Sequence, residues 1–179
     1  MNTNDVLNET RKWVENMVIG LNLCPFAKKE FIKNRICFSV TDAETEELLL
    51  MDLKAELESI QSNDKIETTL LIHPKILTDF YEYNQFLELV DALLEDMELD
   101  GIYQIASFHP DYQFADTAPD DVKNYTNKSP FPMLHILSED SVENAENTYP
   151  NINEIPSKNI ELLESMGLDK IKKIMDKRD

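Results

Sequence analysis

A chain of 179 residues fits one domain, 1–179, able to bury roughly 70% of the surface its unfolded form exposes, so no disulfide or metal is needed to hold it. Thirty-five acidic against seventeen basic residues give a net charge of −18, which repels a phosphate backbone and sets nucleic acid aside as a partner. No run approaches the roughly eighteen apolar residues of a membrane span, the first residues lack signal-peptide character, and Cys24 and Cys37 form neither a CxxC pair nor zinc-finger spacing, so a cytoplasmic protein without membrane partners is expected.

Residues 4–21 place Leu7, Thr10, Val14, Met17, Val18 and Leu21 at helical steps on one face, and Gly20 is suited to end that helix. Pro25 then fits the first position of a short helix, with Cys24 at its N-cap. Residues 35–40 (RICFSV) read as a strand, and Thr41 with Glu44 as a capping box opening a helix to about Ile60, with Leu49, Leu50, Leu53, Leu57 and Ile60 inward. Residues 67–73 (ETTLLIH) form a second strand, apolar enough to be buried on both faces. Thr78 caps a longer helix carrying Tyr83, Phe86, Leu87, Val90, Leu93, Leu94 and Met97, which Asp100-Gly101 stops. Strands at 102–108 and 133–137 flank a long loop, and the direction of the last strand is open because that loop permits either sense. Short helices follow near Ser141, at 157–166 and at 169–178, the last with Lys170, Lys172, Lys173, Lys177 and Arg178 on a solvated face. Strands alternating with helices predict an α/β fold: a single-layer, mainly parallel or mixed sheet of about four strands, with helices packed on it and a helical C-terminal segment.

The stretch 107–137 is dense in chemistry-bearing residues, and a long aromatic-bearing loop inside a compact domain is usually functional. His73-Pro74 and His109-Pro110 repeat one pattern, an apolar strand ending in His-Pro; a residue before proline is held extended, and ligands bind at the carboxyl ends of parallel strands. Asp111, two residues on, is placed to orient His109 or to act as an acid or base. Cys24 is the nucleophile candidate, because a helix N-terminus favours the thiolate, whereas a buried thiol is simply a small hydrophobe. His135 lies inside an apolar strand, where a histidine is more often core than ligand. With His73 and His109 it makes a three-histidine set for a divalent metal, although no local HxH or HExxH spacing supports one, and no cofactor is otherwise implied. Tyr112, Asn127, Lys128 and Ser129 supply a ring, hydrogen-bond donors and one positive charge for a small-molecule substrate; an exposed turn is the alternative for the last three. These groups together point to a small-molecule enzyme of hydrolase or transferase type, against a non-catalytic ligand- or protein-binding module, with the oligomeric state open.

The segments GLNLCPF at 20–26, ETTLLIHP at 67–74, and IASFHPDYQF with NYTNKSPFPMLH between 105 and 135 resemble an uncharacterised bacterial family of about this length, a domain of unknown function. The resemblance spans almost the whole chain and implies only that Cys24, His73, His109, Asp111 and His135 fall inside the family's motif segments.

Overall fold

A computed structural model describes residues 2–148 and 152–176; Lys177 and Arg178 lie outside the described residues. Among these, the order is α1 (Thr3–Trp13), a π-helical turn (Val14–Ile19), α2 (Ala27–Ile32), β1 (Ile36–Val40), α3 (Glu46–Ser62), β2 (Thr68–Ile72), α4 (Phe80–Asp96), β3 (Tyr103–Phe108), a 3-10 turn (Val122–Thr126), β4 (Met133–Ser138), α5 (Glu139–Thr148), a 3-10 turn (Ile152–Glu154), α6 (Ile155–Met166) and α7 (Leu168–Met175).

The sheet is mixed, in the order β1-β2-β4-β3. β1 pairs parallel with β2, and β4 lies antiparallel to both β2 and β3, so β1, β2 and β3 share one direction. Of the mainly parallel and mixed arrangements expected, the sheet takes the mixed one. The physical reason is the loop 109–132: it stays at the rim where β3 ends, so the next strand starts there and runs back between β2 and β3.

Strand alternation divides the core in two. Leu71, Leu134 and Ile136 face α3 and α4, joining Leu49, Leu53, Leu57, Tyr83, Phe86, Val90 and Leu94. Both crossover helices lie on this face because right-handed connections between strands advancing in one direction place them there. Leu70, Ile72 and Met133 face the other way, against Val6, Trp13, Met17, Leu163 and Ile171 of α1, the π-turn, α6 and α7. β2, covered on both sides, is buried along its whole length. α7 turns Leu168, Ile171, Ile174 and Met175 to this core and leaves Lys170, Lys172 and Lys173 exposed.

Several local expectations are displaced by hydrogen bonds to nearby groups. Thr45, not Thr41, caps α3 by accepting from Leu48 N, while the Thr41 hydroxyl accepts from Ala43 N and donates to Asp52. Asp79, not Thr78, caps α4, accepting from the amides of Tyr81 and Glu82. The N-terminal helix widens into the π-turn before Gly20 instead of running unbroken. The amides of Leu23 and Cys24 then fold back onto the Val18 carbonyl, with Asn22 at φ +54°. That extra turn uses up the residues expected to start α2. Helix α2 begins at Ala27 with Phe26 at its N-cap, so Cys24 is not a helix cap.

Candidate functional site at the carboxyl rim of the sheet

β2 and β3 end side by side in direction, separated by β4, and each hands the chain to a histidine. His73 and His109 are both fully buried, and both pack on Tyr83 of α4, with ring centroids 5.8 and 5.1 Å away. Phe80 lies 5.4 Å from His109 and 5.1 Å from Tyr112, which packs edge-on against Phe114 at 5.0 Å. The His-Pro repeat thus does bring two imidazoles to one rim, inside an aromatic shell supplied by α4 and the loop.

The backbone decides the tautomers. A carbonyl only accepts, so the contact of His73 Nδ1 with Ile76 O at 3.0 Å puts a proton on Nδ1. By the same reasoning His109 Nε2 donates to Leu77 O at 3.1 Å, and its Nδ1 accepts from the Asp111 amide at 3.0 Å. The two rings therefore clamp the β2–α4 connection at adjacent carbonyls. Leu77 sits there at φ +54°, a conformation a bulky side chain avoids, with its side chain buried in the α3/α4 core.

His109 is satisfied at both nitrogens; His73 is not. Its Nε2 is buried and has no hydrogen-bond partner among the described residues. Two other buried oxygens share that condition formally, but Glu30 Oε2 lies 3.4 Å from Arg35 and the Thr69 hydroxyl lies beside the Cys37 thiol. Burial lowers the His73 pKa from 6.5 to about 4, with the charge of His109 acting the same way and the Ile76 carbonyl opposing. Burial also lowers that of His109, against the pull of the Leu77 carbonyl, Asp111 and Asp79. His73 is therefore neutral at pH 7, with a bare Nε2 lone pair.

Tyr83 joins the rim to the sheet. Its hydroxyl donates to Met133 O at 2.8 Å and accepts from Phe108 N at 3.2 Å, bridging the facing ends of β3 and β4. Burial raises its phenol well above the usual range. The loop is built around a buried asparagine: Asn124 Oδ1 accepts from Phe114 N and the Thr117 hydroxyl, and its Nδ2 donates to Ala118 O. Asp121 caps the following 3-10 turn.

The predicted substrate-binding residues occupy structural positions in this loop. Asn127 donates to Ser107 O at 3.1 Å, and its carbonyl accepts from His109 N. Lys128 reaches Pro119 O at 3.0 Å with its ammonium 4.9 Å above the Tyr125 ring, and its own carbonyl accepts from Trp13 Nε1 at 3.1 Å. Ser129 is buried and donates to Phe131 O. Asp111 meets His109 through its amide, while the residue itself is exposed.

His135 and Cys24 stand apart. His135 pairs across the sheet with Leu70 on the face toward α1 and α6, opposite to the His73 side. The Thr68 hydroxyl donates to Ile136 O at 2.6 Å, so its 2.7 Å contact with His135 Nε2 is accepted from the ring. Burial lowers His135 to about 4. Cys24, half-buried, follows Leu23, which belongs to that same far core and whose carbonyl is held by Asn159 of α6. His73, His109 and His135 do not converge, and no group of three His, Cys, Asp or Glu among the described residues is arranged to hold a metal ion. Surface depressions occur at the α6–α7 junction and beside Arg35, Glu67 and Tyr103, neither of them touching the two rim histidines.

Sequence reasoning found the two histidines through their prolines, but read Tyr83 only as core and gave Ile76, Leu77 and Asn124 no part. The signal for Ile76 and Leu77 was the shortness of the segment from His73 to Asp79, which keeps its carbonyls at the rim beside the two rings; Tyr83 lies beyond that segment, in the first turn of α4.

Fold and rim together define a mixed α/β domain with a histidine-clamped loop at the carboxyl ends of its strands. The chain belongs to the family described as "Protein of unknown function (DUF1415)", which matches residues 5–173. No curated protein and no solved structure matches it.

Proposed function

We propose that this chain is a cytoplasmic small-molecule enzyme of hydrolase or transferase type, with its site at the rim formed by the ends of β2 and β3 under the 109–132 loop. The observation that carries the proposal is the bare Nε2 of His73, a buried acceptor left open when leaving one unsatisfied costs about 1–3 kcal/mol. In this reading His73 accepts a proton or hydrogen bond from the substrate's O–H or N–H. His109 acts as a positioning residue, fixing Leu77, and Tyr112 with the Asp111 carboxylate lies at the mouth. Entry requires the 73–79 connection or the 109–132 loop to open, since His73 has no exposed surface.

A second reading is a non-catalytic binding module, favoured by one observation: both rings already spend a nitrogen on a loop carbonyl. In this reading His73 Nε2 only holds a ligand. His73→Asn separates the chemistry from the clamp, because the asparagine amide replaces the Nδ1–H while deleting Nε2. Melting temperature and turnover are measured with panels of small esters, amides and phosphoesters. The enzyme reading expects a compound that stabilises the wild-type chain and is turned over, with both effects lost in His73→Asn while the unliganded melt is retained. Stabilisation without turnover supports the binding module, and a hit indifferent to His73→Asn rejects this site.

A further inference from the structure

Two Asp-aromatic pairs meet beside His109. Asp79-Phe80 opens α4 and Asp111-Tyr112 opens the long loop; the Phe80 and Tyr112 rings lie 5.1 Å apart, with Phe80 also 5.4 Å from the His109 ring. Both aromatic rings are half-buried and both aspartates are exposed, so the carboxylates stand at the outer margin of an aromatic patch. Burial lowers the His109 pKa, and both carboxylates pull against it, which sets them close to that ring.

The charge of these aspartates is not spent inside the chain. Neither is ion-paired among the described residues, and the lysines of neighbouring segments are engaged elsewhere: Lys75 by Asp42 and Glu44, Lys123 by Glu164, and Lys128 by the Pro119 carbonyl above the Tyr125 ring. The positive end of α4 is no anion seat either, since Asp79 already accepts from its Tyr81 and Glu82 amides. Further in is a neutral imidazole, His73, with its Nε2 open. Two unpaired carboxylates, aromatic faces and an open ring nitrogen all attract cations or hydrogen-bond donors, and an anion would meet only like charge.

We infer that this rim takes a small organic ammonium ion carrying a second O–H or N–H donor. The ammonium group sits between Asp79 and Asp111 against Phe80 and Tyr112, and the second donor reaches inward to His73 Nε2. That inward contact rests on the reading of His73 as the rim's ligand acceptor.

Tyramine, para-hydroxyphenylacetate and para-cresol share a phenol and differ in charge at the other end: positive, negative and none. Isothermal titration and melting temperature of the full chain measure the binding of each. Tyramine is expected to bind and to raise the melting temperature, and the other two are not. Asp79→Asn combined with Asp111→Asn removes the charge but keeps the helix cap and the amide bond to His109, so the unliganded melt is retained while tyramine affinity falls about tenfold. Absence of tyramine binding overturns the inference, as does binding indifferent to the paired change. Binding of the anion or of cresol as tight as that of tyramine, and lost in His73→Asn, overturns the ammonium ligand while the His73 site stands. Tyramine binding that the paired change weakens and His73→Asn does not upholds the ammonium seat and rejects His73 as its inner acceptor.

Discussion

At the scale of single residues, His73 combines complete burial with an unused hydrogen-bonding atom. Its ring is buried against Tyr83 and anchored at Ile76, yet half of its hydrogen-bonding capacity is unused. Burial also makes it a source of acid sensitivity. The unfolded chain takes up a proton near pH 6.5, whereas the folded chain resists until about pH 4, so between those values the unfolded state binds more protons. Stability supplied by the neutral ring is full above pH 6.5 and is lost as pH falls through 4; the gap corresponds to about 3 kcal/mol. His109 and His135, both lowered by burial, add in the same direction. Urea melts at steps from pH 7 to pH 4.5 should show falling stability, with a shallower slope in His73→Asn. An equal slope in the two proteins would remove His73 as a cause.

Among the elements, the π-turn after α1 sets the largest departure from what the residues alone suggest. Gly20 has an ordinary helical φ of −63°, so it is not chosen for backbone freedom. It is required by space: a Cβ there would lie 2.4 Å from the Asn16 carbonyl oxygen. Gly20→Ala must therefore unwind the wide turn, and thermal or urea melts should register a loss of about 1–3 kcal/mol, as for overpacked sites. Trp13, just before the turn, packs edge-on against Phe108 at 5.4 Å and holds the Lys128 carbonyl, so this variant should also loosen the 127–129 segment. A stability unchanged within error would contradict that role. The periodicity of residues 4–21 identified the helix and placed Thr10, Val14 and Met17 inward, because a π-turn keeps the same side chains inward over a short span, but it passed over Val6 and Trp13, which are buried, in favour of Leu7, which is only half-buried. It did not reveal the turn itself, since a one-residue widening leaves almost no mark in a six-residue window. That single shift is why Cys24 reads as a helix cap and is found in a connecting turn.

For the molecule as a whole, the sheet order follows from where the long loop returns. Strand and helix identities were legible because apolar runs and crossover lengths are local. The antiparallel insertion of β4 was not, because it depends on the loop staying at one rim, held by Asn124, Asn127 and Ser129 through bonds between residues far apart in sequence. The same non-local loop hides the fate of Asn127, Lys128 and Ser129: polar residues before a strand look like ligand donors until the carbonyls they bind are known. The two histidines were legible because proline fixes the residue before it at a strand's end, and parallel β2 and β3 finish at one rim. Which nitrogen each leaves free was not, since that depends on carbonyls contributed by Ile76 and Leu77.

The most direct measurement is therefore of the imidazole nitrogens themselves, by long-range proton–nitrogen correlation on the full chain as pH is lowered from neutrality. His73 is expected to carry its proton on Nδ1, with a bare Nε2 that stays unprotonated until about pH 4, beside His109 and His135 with their protons on Nε2. A His73 ring carrying its proton on Nε2, or one that titrates near 6.5, would contradict it.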